Sequence, residues 1–270
     1  MSELFATRDG TALNVDQGGE GKPFVFQHGL CGNAGQTREA FPNGSGYRRI
    51  TVEARGHGSS QSGPLDRLSI ATFADDVAEY IEKHLPAPVV LGGISMGAAI
   101  SLRLAIKRPE LVKALVIARP AWVVHSAPEN MQPNGEVGRL LNETSAEQAR
   151  ELFMNGETGR KLSEVAPDNL ASLMGFFSRL PLEVTSALLS AIAADGPDVT
   201  EDEVRSIQIP ALVIGHQRDF IHPLASAKTI AAAIPGARFV EITPKVESRE
   251  RYVSDFHTAI TDFLKDMNHG

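Results

Sequence analysis

Short apolar runs alternate with helical patterns along most of the chain. Runs typical of buried strands occur at 23–27, 49–53, 88–92, 114–118, 211–215 and 238–242. Two further strands, at 4–7 and 11–16, flank Asp9-Gly10, a dipeptide that favours a hairpin turn. Because continuous apolar strands separated by helices indicate a parallel sheet covered on both faces, we predict an α/β fold with a mostly parallel, eight-stranded sheet.

The helical patterns have recognisable ends. A helix is predicted from Met96 to Lys107, where Pro109 stops it, and a closing amphipathic helix from Arg251 to Leu264. Thr72-x-x-Asp75 resembles a capping box and predicts a helix start at Thr72.

One long segment breaks the alternation of strands and helices. Residues 122–206 contain no strand pattern, only helical patterns, of which 145–153 and 172–194 are the clearest. An all-helical insertion between two core strands indicates a lid. We therefore predict a core domain made of 1–121 and 207–270, with a helical lid at 122–206 between strands six and seven.

Composition narrows the classes of partner. The net charge is −7, and a surface that binds phosphates would need the opposite sign, so nucleic acid is not expected. No run approaches the ~18 apolar residues of a membrane helix, and the first residues lack a basic segment followed by an apolar one, so neither membrane nor secretory signal is expected. The single cysteine, Cys31, excludes an internal disulfide and fits the cytoplasm.

The sequence also gives no indication of a metal or cofactor site. The eight histidines are scattered without metal-ligand spacing, so we expect no metal and no cofactor. The expected partner is a small molecule, and a homodimer is left open.

The motif with the strongest chemical content is Gly93-Ile94-Ser95-Met96-Gly97. It lies between a buried strand and a helix that begins with small residues. A tight turn at this junction strains the serine and exposes its hydroxyl above the sheet, while the glycines avoid collisions with neighbouring backbone. The alternative is a glycine-rich turn with an idle serine. The position predicts that Ser95 is a nucleophile.

With this turn and two more motifs, the sequence resembles the α/β-hydrolase superfamily, and the resemblance covers nearly the whole chain. The two motifs are His28-Gly29-Leu30 after the third strand and Arg55-Gly56-His57-Gly58-Ser59-Ser60 after the next. The resemblance implies an oxyanion hole made by the backbone N–H groups of Leu30 and Met96. For His28 and His57 we favour a structural role, bracing turns.

The family's chain order of serine, acid and histidine implies that Asp219, in the loop after the seventh strand, is the acid. In this family the histidine usually follows the last strand. Here the last strand, Phe239-Val240-Glu241-Ile242, is followed by Lys245 or Val246 at the place of that histidine. His257 comes well inside the closing helix and is not expected to reach Ser95. The usual partner of the serine is therefore missing from its usual loop.

Three interpretations remain open. In the first, another group supplies the general base, and the candidates are His125, His216, His222 and Lys245. In the second, the site performs different chemistry without a cofactor, such as that of a lyase. In the third, the protein binds a ligand without turning it over.

The first interpretation predicts a serine hydrolase for a small, largely apolar ester, amide or related carbonyl compound. Trp122 follows the sixth strand directly, so we expect its ring to face the substrate pocket.

Overall fold

A computed structural model describes residues 2–269; Met1 and Gly270, the ends of the predicted core domain, lie outside the described residues. The eight strands are β1 Ser2–Ala6, β2 Ala12–Gly18, β3 Lys22–Gln27, β4 Tyr47–Val52, β5 Val89–Ile94, β6 Val112–Ala118, β7 Ala211–Gly215 and β8 Arg238–Glu241. They form one sheet in the order β1-β2-β4-β3-β5-β6-β7-β8. The β1–β2 and β2–β4 pairs are antiparallel and the other five are parallel. The predicted fold class is confirmed.

Helices cover both faces of the sheet. Their bounds are α1 Ala34–Ala40, α2 Ile70–His84, α3 Met96–Lys107, α4 Gln132–Glu143, α5 Ala146–Asn155, α6 Glu157–Val165, α7 Pro167–Phe176, α8 Leu182–Ala194, α9 Glu201–Arg205, α10 Leu224–Ala233 and α11 Arg249–His269. Alternate strand residues face opposite cores: Val25 belongs to the core that also contains residues of α2, α3 and α10, whereas Phe24 and Phe26 belong to the core with residues of α1 and α11. Among the helices of residues 2–269, none combines the length and the apolar character needed to cross a membrane.

Helix α2 begins one turn earlier than its sequence predicted. The side chain of Ser69 accepts a hydrogen bond from the backbone N–H of Thr72, at 3.0 Å, and Ile70 is fully buried in the first turn. Ser69 is therefore the N-cap, and the capping box predicted at Thr72 is wrong. Serine is a slightly better N-cap than threonine, and the earlier start also places the buried Ile70 in the first turn.

The segment between β6 and β7 contains helices α4 to α9 and, as predicted, no strand. A third hydrophobic cluster joins α4 to α8 and includes Phe153, Leu162, Leu173 and Leu189, whereas Val204 of α9 belongs to the main core. The helix predicted over 172–194 is two helices, because Pro181 cannot continue the backbone hydrogen bonds and instead precedes α8 as its N-cap.

The start of α3 lies against the sheet too closely for any side chain at Gly97. A Cβ placed there would lie 2.4 Å from the carbonyl oxygen of Gln27 at the end of β3. We expect Gly97→Ala to lower the free energy of unfolding by about 1–3 kcal/mol, because backbone must shift to admit the methyl group. Urea denaturation followed by circular dichroism measures this change.

Gly175 in α7 is the matched control, since a Cβ there meets nothing within 4 Å. Gly175→Ala should leave the stability unchanged or raise it by up to about 1 kcal/mol, because alanine favours a helix. Equal losses for the two variants would contradict this explanation of Gly97.

Candidate active site

Ser95 occupies a strained turn between β5 and α3. Its φ of 58° and ψ of −112° lie where residues other than glycine are rarely found, and its N–H donates to the carbonyl of Ala118 at 3.0 Å. A Cβ at Gly93 would lie 2.3 Å from the Gly97 carbonyl, so the turn closes only with glycine at 93. The predicted strand–turn–helix setting of Ser95 is therefore present.

His222 is the group that meets the Ser95 hydroxyl. Its Nε2 lies 2.8 Å from Ser95 Oγ, and its Nδ1 lies 3.0 Å from both carboxylate oxygens of Asp219. With a proton on Nδ1, the imidazole donates to Asp219 and its Nε2 can accept the hydroxyl proton of Ser95. The serine, imidazole and carboxylate thus form one continuous hydrogen-bonded series.

The histidine and the carboxylate come from a single loop. Asp219 and His222 lie three residues apart between β7 and α10, and the backbone N–H of His222 also donates to Asp219 at 3.1 Å. Of the four candidate bases, the structure brings only this one to Ser95. The histidine that meets Ser95 therefore comes from the loop after β7 and not from the loop after β8.

Asp219 is a buried carboxylate held by donors from three parts of the chain. Its side chain is 2% exposed, Arg119 Nη2 donates to it at 2.6 Å, and Asn169 Nδ2 donates at 2.9 Å. Burial alone would raise the pKa of Asp219, but the charges of His222 and Arg119 together with the hydrogen bond from His222 hold it well below its usual value. Asp219 is therefore a charged acceptor under the imidazole.

Arg119 connects this carboxylate to the closing helix. It follows β6 in the left-handed region, with a φ of 45°, and its Nη1 donates to the hydroxyl of Tyr252 at 3.0 Å. Burial lowers the pKa of His222 below its ordinary 6.5, and the Arg119 charge lowers it further, while Asp219 opposes both. The imidazole is consequently neutral at neutral pH, as a base must be.

The backbone N–H groups of Leu30 and Met96 have no acceptor among residues 2–269. The loop that carries Leu30 is fixed on both sides: Gly29 N–H donates to Gln36 Oε1 at 2.7 Å, and Cys31 N–H donates to His57 Nε2 at 2.9 Å. These bonds leave the N–H of Leu30 free beside Ser95.

The two histidines of the resembling motifs accept backbone hydrogen bonds. His28 Nε2 accepts from Ala54 N–H at 3.0 Å, as His57 Nε2 does from Cys31. Burial lowers the pKa of both, so they remain neutral acceptors. Their arrangement is the bracing one that the sequence favoured.

A cavity of about 160 Å³ opens beside Ser95. Its lining mixes apolar and polar side chains, chiefly Leu30, Met131, Asn134, Leu173, Phe176, Ile221, His222 and Lys245. Trp122 is not part of this lining, so the expectation that it faces the pocket is wrong. Its ring is 2% exposed in the main core, because the indole N–H finds its acceptor in the carbonyl of Asp195, at 2.8 Å.

None of the other candidate bases is hydrogen-bonded to Ser95. His216 lines the cavity, but its Nδ1 is hydrogen-bonded to the backbone carbonyl of Gln217 and its Nε2 lies 3.4 Å from Asp219. Lys245 lines the cavity without a hydrogen bond to Ser95, and His125 is exposed outside the lining. His257 of α11 is hydrogen-bonded to the backbone carbonyl of Glu39 in α1 and, as predicted, does not meet Ser95.

Metal ligands do not converge at this site. Within residues 2–269, no group of three or more histidine, cysteine, aspartate or glutamate side chains is arranged to hold an ion.

A serine at a strained strand–helix turn, above the parallel strands of a helix-covered sheet, is the arrangement of the α/β-hydrolase class. Residues 22–245 match the family described as the alpha/beta hydrolase fold, and the chain belongs to this family.

Three named proteins are similar to this chain over most of its length. The chain is 28% identical over 236 residues to a pimeloyl-acyl-carrier-protein methyl ester esterase of Chromobacterium violaceum, covering 85% of this chain and 88% of that one. It is 26% identical over 249 residues to the AB hydrolase superfamily protein YisY of Bacillus subtilis, covering 89% and 90%. An esterase of Exiguobacterium antarcticum has the same fold, with a TM-score of 0.74, 22% identity and coverage of 98% and 100%.

The electrostatic account of His222 can be measured directly. We expect Arg119→Met to raise the pKa of His222, because it removes a cation that opposes protonation of the imidazole. Titration of the histidine ring protons by NMR, with the His222 resonance assigned by its loss in His222→Gln, gives the pKa in each protein.

Arg119→Lys keeps the charge and should keep the pKa of His222 low. Arg139→Met removes an exposed arginine paired with Glu143 and should change nothing at His222. An unchanged or lower pKa in Arg119→Met would contradict the assigned role of Arg119.

Proposed function

We propose that this protein is a serine hydrolase of small ester or related carbonyl substrates, with Ser95 as nucleophile, His222 as general base and Asp219 as the acid that orients it. The carrying observation is the 2.8 Å contact between His222 Nε2 and Ser95 Oγ, with Asp219 3.0 Å behind the other ring nitrogen. These distances are those of a nucleophile and base within hydrogen-bond reach, oriented by a third group.

The reaction follows from this arrangement. His222 Nε2 takes the hydroxyl proton while Ser95 Oγ bonds to the carbonyl carbon of the substrate, and the carbonyl oxygen becomes an oxyanion. The free N–H groups of Leu30 and Met96 stabilise that charge, assisted by the N-terminus of α3. The imidazolium then gives its proton to the leaving alcohol, and an acyl-serine remains. Water, deprotonated by His222, then attacks the acyl carbon, and the imidazolium returns the proton to Ser95 Oγ as the acid is released.

His222 can serve as the base although the loop after β8 contains no histidine. Asp219 fixes the ring so that its Nδ1 carries the proton, and it stabilises the positive charge that the ring acquires. Arg119 keeps Asp219 ionised and reduces the proton affinity of the ring. Because a lower pKa leaves the base neutral in mild acid, hydrolysis should persist below pH 6.5, the ordinary midpoint of histidine.

The size and walls of the cavity suit a small substrate. About 160 Å³ admits a short acyl or alcohol group rather than a long chain, and Leu173 and Phe176 of α7 give it an apolar side. We propose that the helices between β6 and β7 act as the lid and that the enzyme works in the cytoplasm. The esterase names of relatives support ester hydrolysis.

A ligand-binding protein without catalysis and a cofactor-free lyase were alternatives because the sequence offered no evident base. His222 removes that reason. No observation at the site favours either of them over hydrolysis.

The test is a pair of histidine variants. We expect a fluorophosphonate to label Ser95 and p-nitrophenyl acetate to be hydrolysed, with kcat/KM falling by roughly 10⁴–10⁶ in His222→Ala, because the serine loses its proton acceptor. Labelling should also be lost in Ser95→Ala. Stopped-flow absorbance and mass spectrometry of the labelled peptide provide the two readouts.

His125→Gln is the matched control, since His125 is an exposed histidine outside the cavity, and it should retain labelling and turnover. Full activity in His222→Ala, or no labelling of the wild-type protein, would overturn the proposed mechanism.

A further inference from the structure

A second cleft adjoins the cavity at Ser95 where the family's histidine would ordinarily stand. It is about 400 Å³ and open to solvent, and it shares Gln36, Ile94, Arg119 and Lys245 with the first cavity. The four shared residues show that the two spaces lie side by side. Catalysis by His222 leaves this cleft without an assigned role.

The cleft is rich in cations. Arg119, Lys245 and Arg249 line it, and Glu39 is its only acidic lining residue in the described part of the chain. Glu39 is already paired with Arg249 at 2.6 Å, and the charge of Arg119 is shared with Asp219. Lys245 is exposed, and no residue in the described part of the chain pairs with its ammonium. An uncompensated cation in a protein of net charge −7 favours an anion at this place.

Tyr252 adds a neutral donor to the same cleft. Its hydroxyl oxygen accepts from Arg119 Nη1 at 3.0 Å, while no described residue accepts its own proton. The residue is 8% exposed, so this proton belongs to a buried group. Burial also raises the pKa of Tyr252, which keeps the proton in place. The hydroxyl proton is therefore available to a ligand atom with lone pairs.

We propose that this cleft binds a carboxylate of the substrate, through the Lys245 ammonium and the Tyr252 hydroxyl beside Arg119. The inference rests on the proposed hydrolase function and names its substrate class: an ester or lactone that carries a free carboxylate a few bonds from the carbonyl attacked by Ser95. Binding of the anion positions the carbonyl at Ser95, since Arg119 and Lys245 line both spaces.

Paired substrates measure this preference. Monoethyl succinate and monoethyl glutarate differ from ethyl butanoate and ethyl pentanoate only by a carboxylate in place of a methyl group. We expect kcat/KM for each anionic ester to exceed that of its neutral partner by about tenfold at low salt. Added potassium chloride should reduce this ratio, because salt screens an exposed ion pair.

Lys245→Glu reverses the charge in the cleft and should lower the ratio by about tenfold or more. Lys107→Glu makes the same change of net charge at the end of α3, at a residue that lines neither space, and should leave the ratio as in the wild type. A wild-type ratio of one or less, or equal effects of the two substitutions, would overturn the proposal.

Binding separates this proposal from the hydrolytic one. Calorimetric titration of the Ser95→Ala protein with monoethyl glutarate should show binding that weakens in Ser95→Ala/Lys245→Glu. If neither class of ester is hydrolysed but this binding is found, the hydrolase proposal fails and the carboxylate site stands. Hydrolysis without a preference and without binding rejects the carboxylate site alone.

Discussion

The site depends on one buried carboxylate and the groups that keep it charged. An ionised aspartate at 2% exposure would be costly to bury, and the cost is offset only when each oxygen has donors. Arg119, Asn169 and His222 supply them. Asp219 thereby fixes the imidazole that reaches Ser95.

These donors tie distant parts of the chain together. Arg119 comes directly after β6, and Asn169 comes from α7 in the segment inserted between β6 and β7, so that segment contributes to the site. The arrangement contains a compromise. Arg119 favours the ionised form of Asp219, yet the same cation disfavours the protonated form of His222. The result is an imidazole ring that is held in place mainly in its neutral form.

Local chemistry was readable from the sequence, and tertiary contacts were not. Ser95 and the eight strands were predicted because a glycine-flanked turn and continuous apolar runs are local patterns. His222 was only one of four candidate bases. Its ring reaches Ser95 because Asp219 is held beneath it by Arg119, 100 positions away, and no spacing encodes that contact. Trp122 was misplaced for the same reason, since its acceptor at Asp195 is 73 residues distant.

A crystal structure of the protein after reaction with a small phosphonate tests the central claim most directly. We expect phosphorus on Ser95 Oγ, a phosphonyl oxygen on the N–H groups of Leu30 and Met96, and His222 Nε2 within about 3.2 Å of Ser95 Oγ. A covalent adduct in which His222 has turned away and the Lys245 ammonium meets the serine oxygen would contradict the account.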